Sequence, residues 1–175
     1  MEANPIELLF GGMKKLGPGD DSFTRKVLNS LPFKEYDLVV DAGCGSGRQT
    51  LVLAKELKSK IHAIDNYELF LITLTEEATQ EGVEELIETH CMDMADIPKT
   101  FNNIDLLWSE GAAYTIGFAN ALSSWAKAMS PGGLVVVTEL TWLSNSIPTR
   151  VKEFFDAGYP GMKQNEENIH IAEKL

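Results

Sequence analysis

Apolar and polar positions in this chain follow two alternating periods. Short stretches rich in apolar and β-branched residues fall at 38–40, 60–64, 86–91, 104–108 and 134–139, each bounded by turn formers, and these read as strands. Between them the spacing becomes helical. Leu51, Ala54 and Leu57 share one side of residues 48–57, Leu71, Leu74 and Ala78 share a face of 67–81 before Gly82 stops it, and Phe118, Leu122, Trp125 and Met129 form a third stripe. Ahead of the first strand, Asp20 or Asp21 caps a helix over 22–31, where Phe23, Val27, Leu28 and Leu31 make one face and Pro32 ends it. Residues 149–157 and 166–175 read as two further helices.

Strands alternating with helices predict an α/β fold, a Rossmann-like doubly wound parallel sheet in the order 3-2-1-4-5. A ligand then sits outside the carboxyl ends of the strands, where the order reverses. The first strand runs into Asp41-Ala42-Gly43-Cys44-Gly45-Ser46-Gly47, and the helix over 48–57 follows at once. Glycines spaced this way let backbone approach a ligand closely, and the helix beyond them offers free N–H groups. Its charge selects the ligand. In a dinucleotide fingerprint the third glycine comes one residue later, and Asp41 directly before the turn would repel a pyrophosphate. A phosphate-binding loop needs Lys and then Ser or Thr, whereas Arg48-Gln49 stands here. A ligand with a cationic amino group, such as the methionine half of S-adenosylmethionine, suits the carboxylate. Asp65 ends the second strand at close to the spacing of about 20 residues at which an acid binds ribose hydroxyls.

Composition narrows the partners. The chain has 175 residues, 44% of them hydrophobic and 23% charged, which predicts one soluble domain, with residues 1–35 as an N-terminal lid or helix and 36–175 as the core. A formal net charge of −11 argues against nucleic acid and anionic membranes, so a small-molecule substrate is expected. No apolar run approaches the roughly 20 residues of a membrane span, and Met1-Glu2-Ala3-Asn4 shows no secretory signal, which predicts a cytoplasmic protein. Cys44 and Cys91 read as plain thiols. His62, His90 and His170 suggest no metal constellation, and no metal is expected.

The turn resembles motif I of the class I S-adenosylmethionine-dependent methyltransferases, an acid, any residue, then Gly-x-Gly-x-Gly, matched by Asp41, Gly43, Gly45 and Gly47. The Pro131-Gly132-Gly133 turn before the fifth strand is a second shared feature, and 108–118 and 139–142 are similar to a bacterial and archaeal group of small-molecule members. The resemblance spans roughly 17–175. It implies cofactor contacts from Asp41, Gly43, Cys44, Gly45, Gly47, Asp65, Asn66, Asp93, Met94 and Ser109, with Asp93 on the adenine amino group and Met94 along the ring. Class I members end with two more strands, the last antiparallel, yet only residues 140–175 follow the fifth strand, so the core reads as truncated there. That leaves the fifth strand as an open edge, for which homo-oligomer formation is an expected cover. The N-terminal segment is expected either to fold over the pocket or, through Leu8 and Phe10, simply to cover core.

For the chemistry, Glu110 and Glu139 end neighbouring strands and are expected to face the acceptor, with Tyr114 and Trp142 as walls. The expected function is methyl transfer from S-adenosylmethionine to a small-molecule N or O acceptor, without a metal. The alternatives are a nicotinamide-dependent oxidoreductase and a binding domain without turnover.

Overall fold

The computed structural model describes residues 5–14, 16–32 and 35–174. The expectation about Met1 to Asn4 and the inclusion of Leu175 in the last helix fall outside them. Two short helices come first, α1 at Pro5–Phe10 and α2 at Asp21–Ser30, the second capped by Asp20, whose Oδ1 accepts from Ser22 N at 2.7 Å. The core then alternates β1 (Val39–Ala42), α3 (Arg48–Leu57), β2 (Ile61–Asp65), α4 (Glu68–Glu81), β3 (Ile87–Cys91), α5 (Ile97–Thr100), β4 (Ile104–Ser109), α6 (Phe118–Trp125) and β5 (Met129–Val137). Five parallel strands form one sheet in the order β3-β2-β1-β4-β5, as the alternation predicts.

Both faces of β1 are covered because its neighbours in sequence point to opposite sides. Val40 and Ala42 join Ile64, Leu107 and Trp125 on one face, and Val39 joins Ile61, Leu106, Trp108, Leu28 and Leu53 on the other. Burying a side chain of this size contributes about 1.5–3 kcal/mol, so the centre of the sheet is the rigid part on which the loops are mounted.

The fifth strand departs from expectation. It begins at Met129 and ends at Val137, so Ser130 to Gly133 form an irregularity inside the strand rather than a turn before it. Ile104 pairs with Met129 and Leu106 already with Leu134. Ser130 Oγ donates to Asp105 Oδ1 at 2.7 Å and to Ile104 O at 3.2 Å, which fastens the bulge. A Cβ on Gly133 would stand 2.6 Å from the Ile104 carbonyl, so a side chain there would break the fastening.

Thr138 and Glu139 lie beyond the sheet. After them come β6 (Thr141–Trp142), α7 (Thr149–Gly158), β7 (Lys163–Gln164) and α8 (Asn165–Ala172), with β6 and β7 paired in a second, parallel two-stranded sheet. The two helices match the periodicity; a two-residue strand has none to read. Leu143 is 95% exposed and Phe154 74%, so the outer side of this region presents apolar surface. Among the described residues no helix is long and apolar enough to cross a membrane.

Candidate functional site

The glycine turn stands at the carboxyl ends of the central strands. Gly43 N and Cys44 N both donate to Ile64 O, at 2.8 and 2.9 Å, so the turn is hung on β2. Gly47 has φ +85°, and a Cβ there would collide with the Leu74 side chain on α4. That packing explains why the third glycine comes where it does.

Asp41 lies under the turn rather than in it. Its carboxylate is fully buried and accepts from Thr50 Oγ1 at 2.5 Å and Gln49 Nε2 at 3.3 Å, tying β1 to the first turn of α3. Both oxygens are therefore engaged by the fold, and any pull on a ligand is exerted through charge across the turn. Burial pushes its pKa up to about 7, against the lowering effect of Thr50 and Gln49, and the neighbouring carboxylates of Glu110 and Asp65 push the same way. The Cys44 thiol is buried too and is pushed well above its ordinary value, mainly by burial, so it is an inert packing group. Ser109 is likewise buried and donates to Ala42 O at 2.8 Å, stitching β4 to β1.

Asp65 is the carboxylate that faces the turn. Oδ2 accepts from Gly45 N at 2.9 Å and Oδ1 from Tyr67 N at 3.0 Å, leaving each oxygen a second lone pair for a ligand. Burial raises its pKa and the N–H bonds lower it. Asn66 beside it is exposed. At the end of β3, Asp93 is exposed and caps the next turn through Ala95 N at 2.8 Å, while Met94 reaches back so that its Cε lies 3.2 Å from where a Cβ on Gly43 would stand. Asp65 and Met94 thus both reach the glycine turn, and Asp93 follows the end of β3 beside Met94.

One approach is already covered. Leu16 Cδ1 lies 2.7 Å from where a Cβ on Gly45 would stand, and Lys14 pairs with Glu77 on α4 at 2.7 Å. The N-terminal segment is therefore laid over the turn through Leu16, whereas Leu8 and Leu9, on α1, are 73% and 67% exposed. A groove of about 320 Å³ lies elsewhere, between α4 and β3, lined by Leu71, Thr75, Thr89 and Cys91.

The two glutamates do not act as a pair. Glu110 accepts from Arg48 Nη2 at 2.6 Å, Trp108 Nε1 at 2.9 Å and Thr24 Oγ1 at 2.8 Å, so it braces β4 against α2 and α3. Glu139 has a different environment. Oε1 accepts from Leu140 N at 3.1 Å, the Tyr159 hydroxyl also donates to the carboxylate, and Oε2 is buried without a donor at hydrogen-bond geometry. Burial raises its pKa. Beside it Tyr159 is pushed up to about 12, first by burial and then by the Glu139 charge. Tyr114 stacks at a tilt on Tyr159, with ring centroids 5.7 Å apart. Trp142 packs edge-on against Phe155 and donates to Met162 O at 3.1 Å. Tyr159 was not legible in the sequence, because it arrives in a turn after α7 with no periodicity to mark its side.

His62 and His90 also meet, against the expectation of scattered histidines, with Nδ1 and Nε2 3.0 Å apart across β2 and β3. Glu88 is their neighbour. The signal was the strand order together with Glu88 and His90 two residues apart.

Comparison with known proteins agrees with the fold. Residues 39–133 match the methyltransferase domain family, and the chain belongs to it. It is 25% identical over 148 residues to malonyl-[acyl-carrier protein] O-methyltransferase of a Marinomonas species, covering 83% of this chain and 50% of that protein. With dimethylglycine N-methyltransferase of Parasynechococcus marenigrum it shares 28% identity over 109 residues, 62% of this chain and 39% of the other. The chain thus spans half or less of these relatives. A SAM-dependent methyltransferase from Thiobacillus denitrificans, solved with S-adenosyl-L-homocysteine, has the same fold, with a TM-score of 0.82 at 19% identity over 99% of this chain and 71% of that one.

Proposed function

We propose that this chain binds S-adenosylmethionine at the glycine turn and methylates a small-molecule amine or hydroxyl held at Glu139. The observation that carries the acceptor assignment is the half-buried Glu139 carboxylate, which accepts from Tyr159 while its Oε2 still lacks a donor at hydrogen-bond geometry. A buried acceptor atom without a donor is costly. An acceptor's N–H or O–H supplies the missing bond.

Family membership and the meeting of Asp65 and Met94 at the glycine turn support the cofactor half of this reading. Asp65 takes the ribose hydroxyls on its free lone pairs, and Met94 lies along the base. The Asp65 carboxylate at the turn supplies negative charge, as a cationic ligand requires. When bound, S-adenosylmethionine supplies a methyl group already activated on its sulfonium, taken by the acceptor's lone pair as the carbon–sulfur bond breaks. What remains for the protein is positioning and removal of one proton.

Glu139 does the second. It accepts the acceptor's hydrogen bond and then its proton, and burial makes it a stronger base than a surface carboxylate. Tyr159, with its pKa raised, keeps its phenolic proton at neutral pH and remains a donor. The rings of Tyr114 and Tyr159 exclude water and favour a cationic acceptor over an anionic one.

The test is Glu139→Gln against Glu139→Asp in a methyl-transfer assay over candidate amines and hydroxyls, with S-adenosylhomocysteine affinity measured in parallel. We expect Gln to reduce transfer by about a hundredfold with cofactor affinity unchanged, and EDTA to leave transfer intact. Equal turnover in the parent and Glu139→Gln removes Glu139 from the mechanism. Cofactor binding with no transfer to any acceptor class favours the binding-domain alternative.

A further inference from the structure

The β2 to β3 pairing brings three metal-type ligands together on the outer edge of the sheet. His62 is paired in register with Glu88, and His90 stands two residues further on β3, so all three project from one face. His62 Nδ1 lies 3.0 Å from His90 Nε2, Glu88 Oε1 lies 3.7 Å from the same Nε2, and the three ligand atoms are all within 4.8 Å of one another. A tetrahedral ion with bonds of about 2.0–2.1 Å separates its ligand atoms by about 3.3 Å. The observed spacings straddle that value.

The surroundings hold the set in place. Lys60 Nζ donates to Glu88 Oε2 at 3.2 Å, which leaves Oε1 turned to the imidazoles. Phe101 stands edge-on to both rings, with centroids 5.3 Å from each, and closes one side against water. Without an ion, one of the two facing nitrogens must carry a proton for the 3.0 Å contact; with one, both lone pairs point at the metal. Cys91 is not part of the set, because it faces the groove against α4 with Thr89.

We propose that His62, Glu88 and His90 form a binding site for a zinc-class divalent ion, with water in the fourth position, which pins the edge strand β3 to β2. Two imidazoles and a carboxylate suit zinc and its transition-metal neighbours rather than magnesium or calcium. The site is separate from the glycine turn, so it does not rest on the methyl-transfer reading.

The experiment is calorimetry and thermal unfolding of EDTA-stripped protein with zinc chloride alone. The expected result is one ion per chain and a raised unfolding temperature, with affinity weakened at least about tenfold in Glu88→Gln and lost in His90→Ala. Both altered side chains lie on the edge strand, so these variants remain informative even if His62→Ala fails to fold. Cys91→Ser should bind as the parent does, and His90→Ala should bind S-adenosylhomocysteine as the parent does. Cobalt substitution should give a four-coordinate visible spectrum lacking a thiolate band. Zinc binding that survives in His90→Ala, or that is lost in Cys91→Ser, overturns the assignment, as does a parent that binds no zinc.

Discussion

Arg48 Nη2 donates to Glu110 Oε2 at 2.6 Å, with the two side chains only 14% and 15% exposed, and this one contact ties the end of β4 to the start of α3. It makes Glu110 a brace rather than a base. Glu110→Gln should therefore lower stability by about 2 kcal/mol, the scale of a charged hydrogen bond left incomplete. Urea unfolding of the variant checks this. An unchanged midpoint would mean that the brace contributes nothing.

The contrast between Glu110 and Glu139 shows where sequence reading stops. The strands, their order and the turn followed from apolar runs bounded by turn formers, because each is a local pattern. The partners of Glu110 are not local: Arg48 lies 62 residues away in sequence and Thr24 lies 86. Two acids at equivalent strand ends look alike until tertiary packing supplies donors to one and leaves an oxygen of the other without any. Leu16 was missed for the same reason, since a single leucine in an irregular segment has no period to betray its contact with Gly45.

A second prediction concerns pH. Burial raises Asp41 from 3.8 to about 7, so the folded state holds its proton more tightly than the unfolded chain does. The contribution is then fully present below about pH 4 and is lost as pH rises through about 7, with a total on the order of a few kcal/mol. Asp41→Asn should flatten that part of the pH dependence and make the protein relatively more stable at pH 8 than the parent. Urea midpoints at pH 5 and pH 8 measure it; the same slope in parent and variant would contradict the assignment.

The same titration bears on ligand choice. Asp41 becomes charged as pH passes about 7, which strengthens attraction for a sulfonium. The ratio of S-adenosylmethionine to S-adenosylhomocysteine affinity should rise from pH 6 to pH 8 in the parent and stay flat in Asp41→Asn. A flat ratio in the parent would place the sulfonium away from this carboxylate.

Leu16 lies against Gly45, over the turn proposed to hold the ligand. Leu16→Ala should speed association of S-adenosylhomocysteine, measured by stopped-flow tryptophan fluorescence. Lys14→Ala should change little, because its ion pair has a lysine that is 69% exposed and such pairs contribute at most about 1 kcal/mol. Identical association rates in the parent and Leu16→Ala would show that the segment does not gate entry.

The central claim is a nucleoside site built on Asp65 and the glycine turn, and calorimetry of the parent and Asp65→Ala with S-adenosylhomocysteine and with NAD tests it most directly. The parent is expected to bind S-adenosylhomocysteine and not NAD, and Asp65→Ala to weaken binding by about 2 kcal/mol, some thirtyfold. Preference for NAD, or equal S-adenosylhomocysteine affinity in parent and variant, would contradict it.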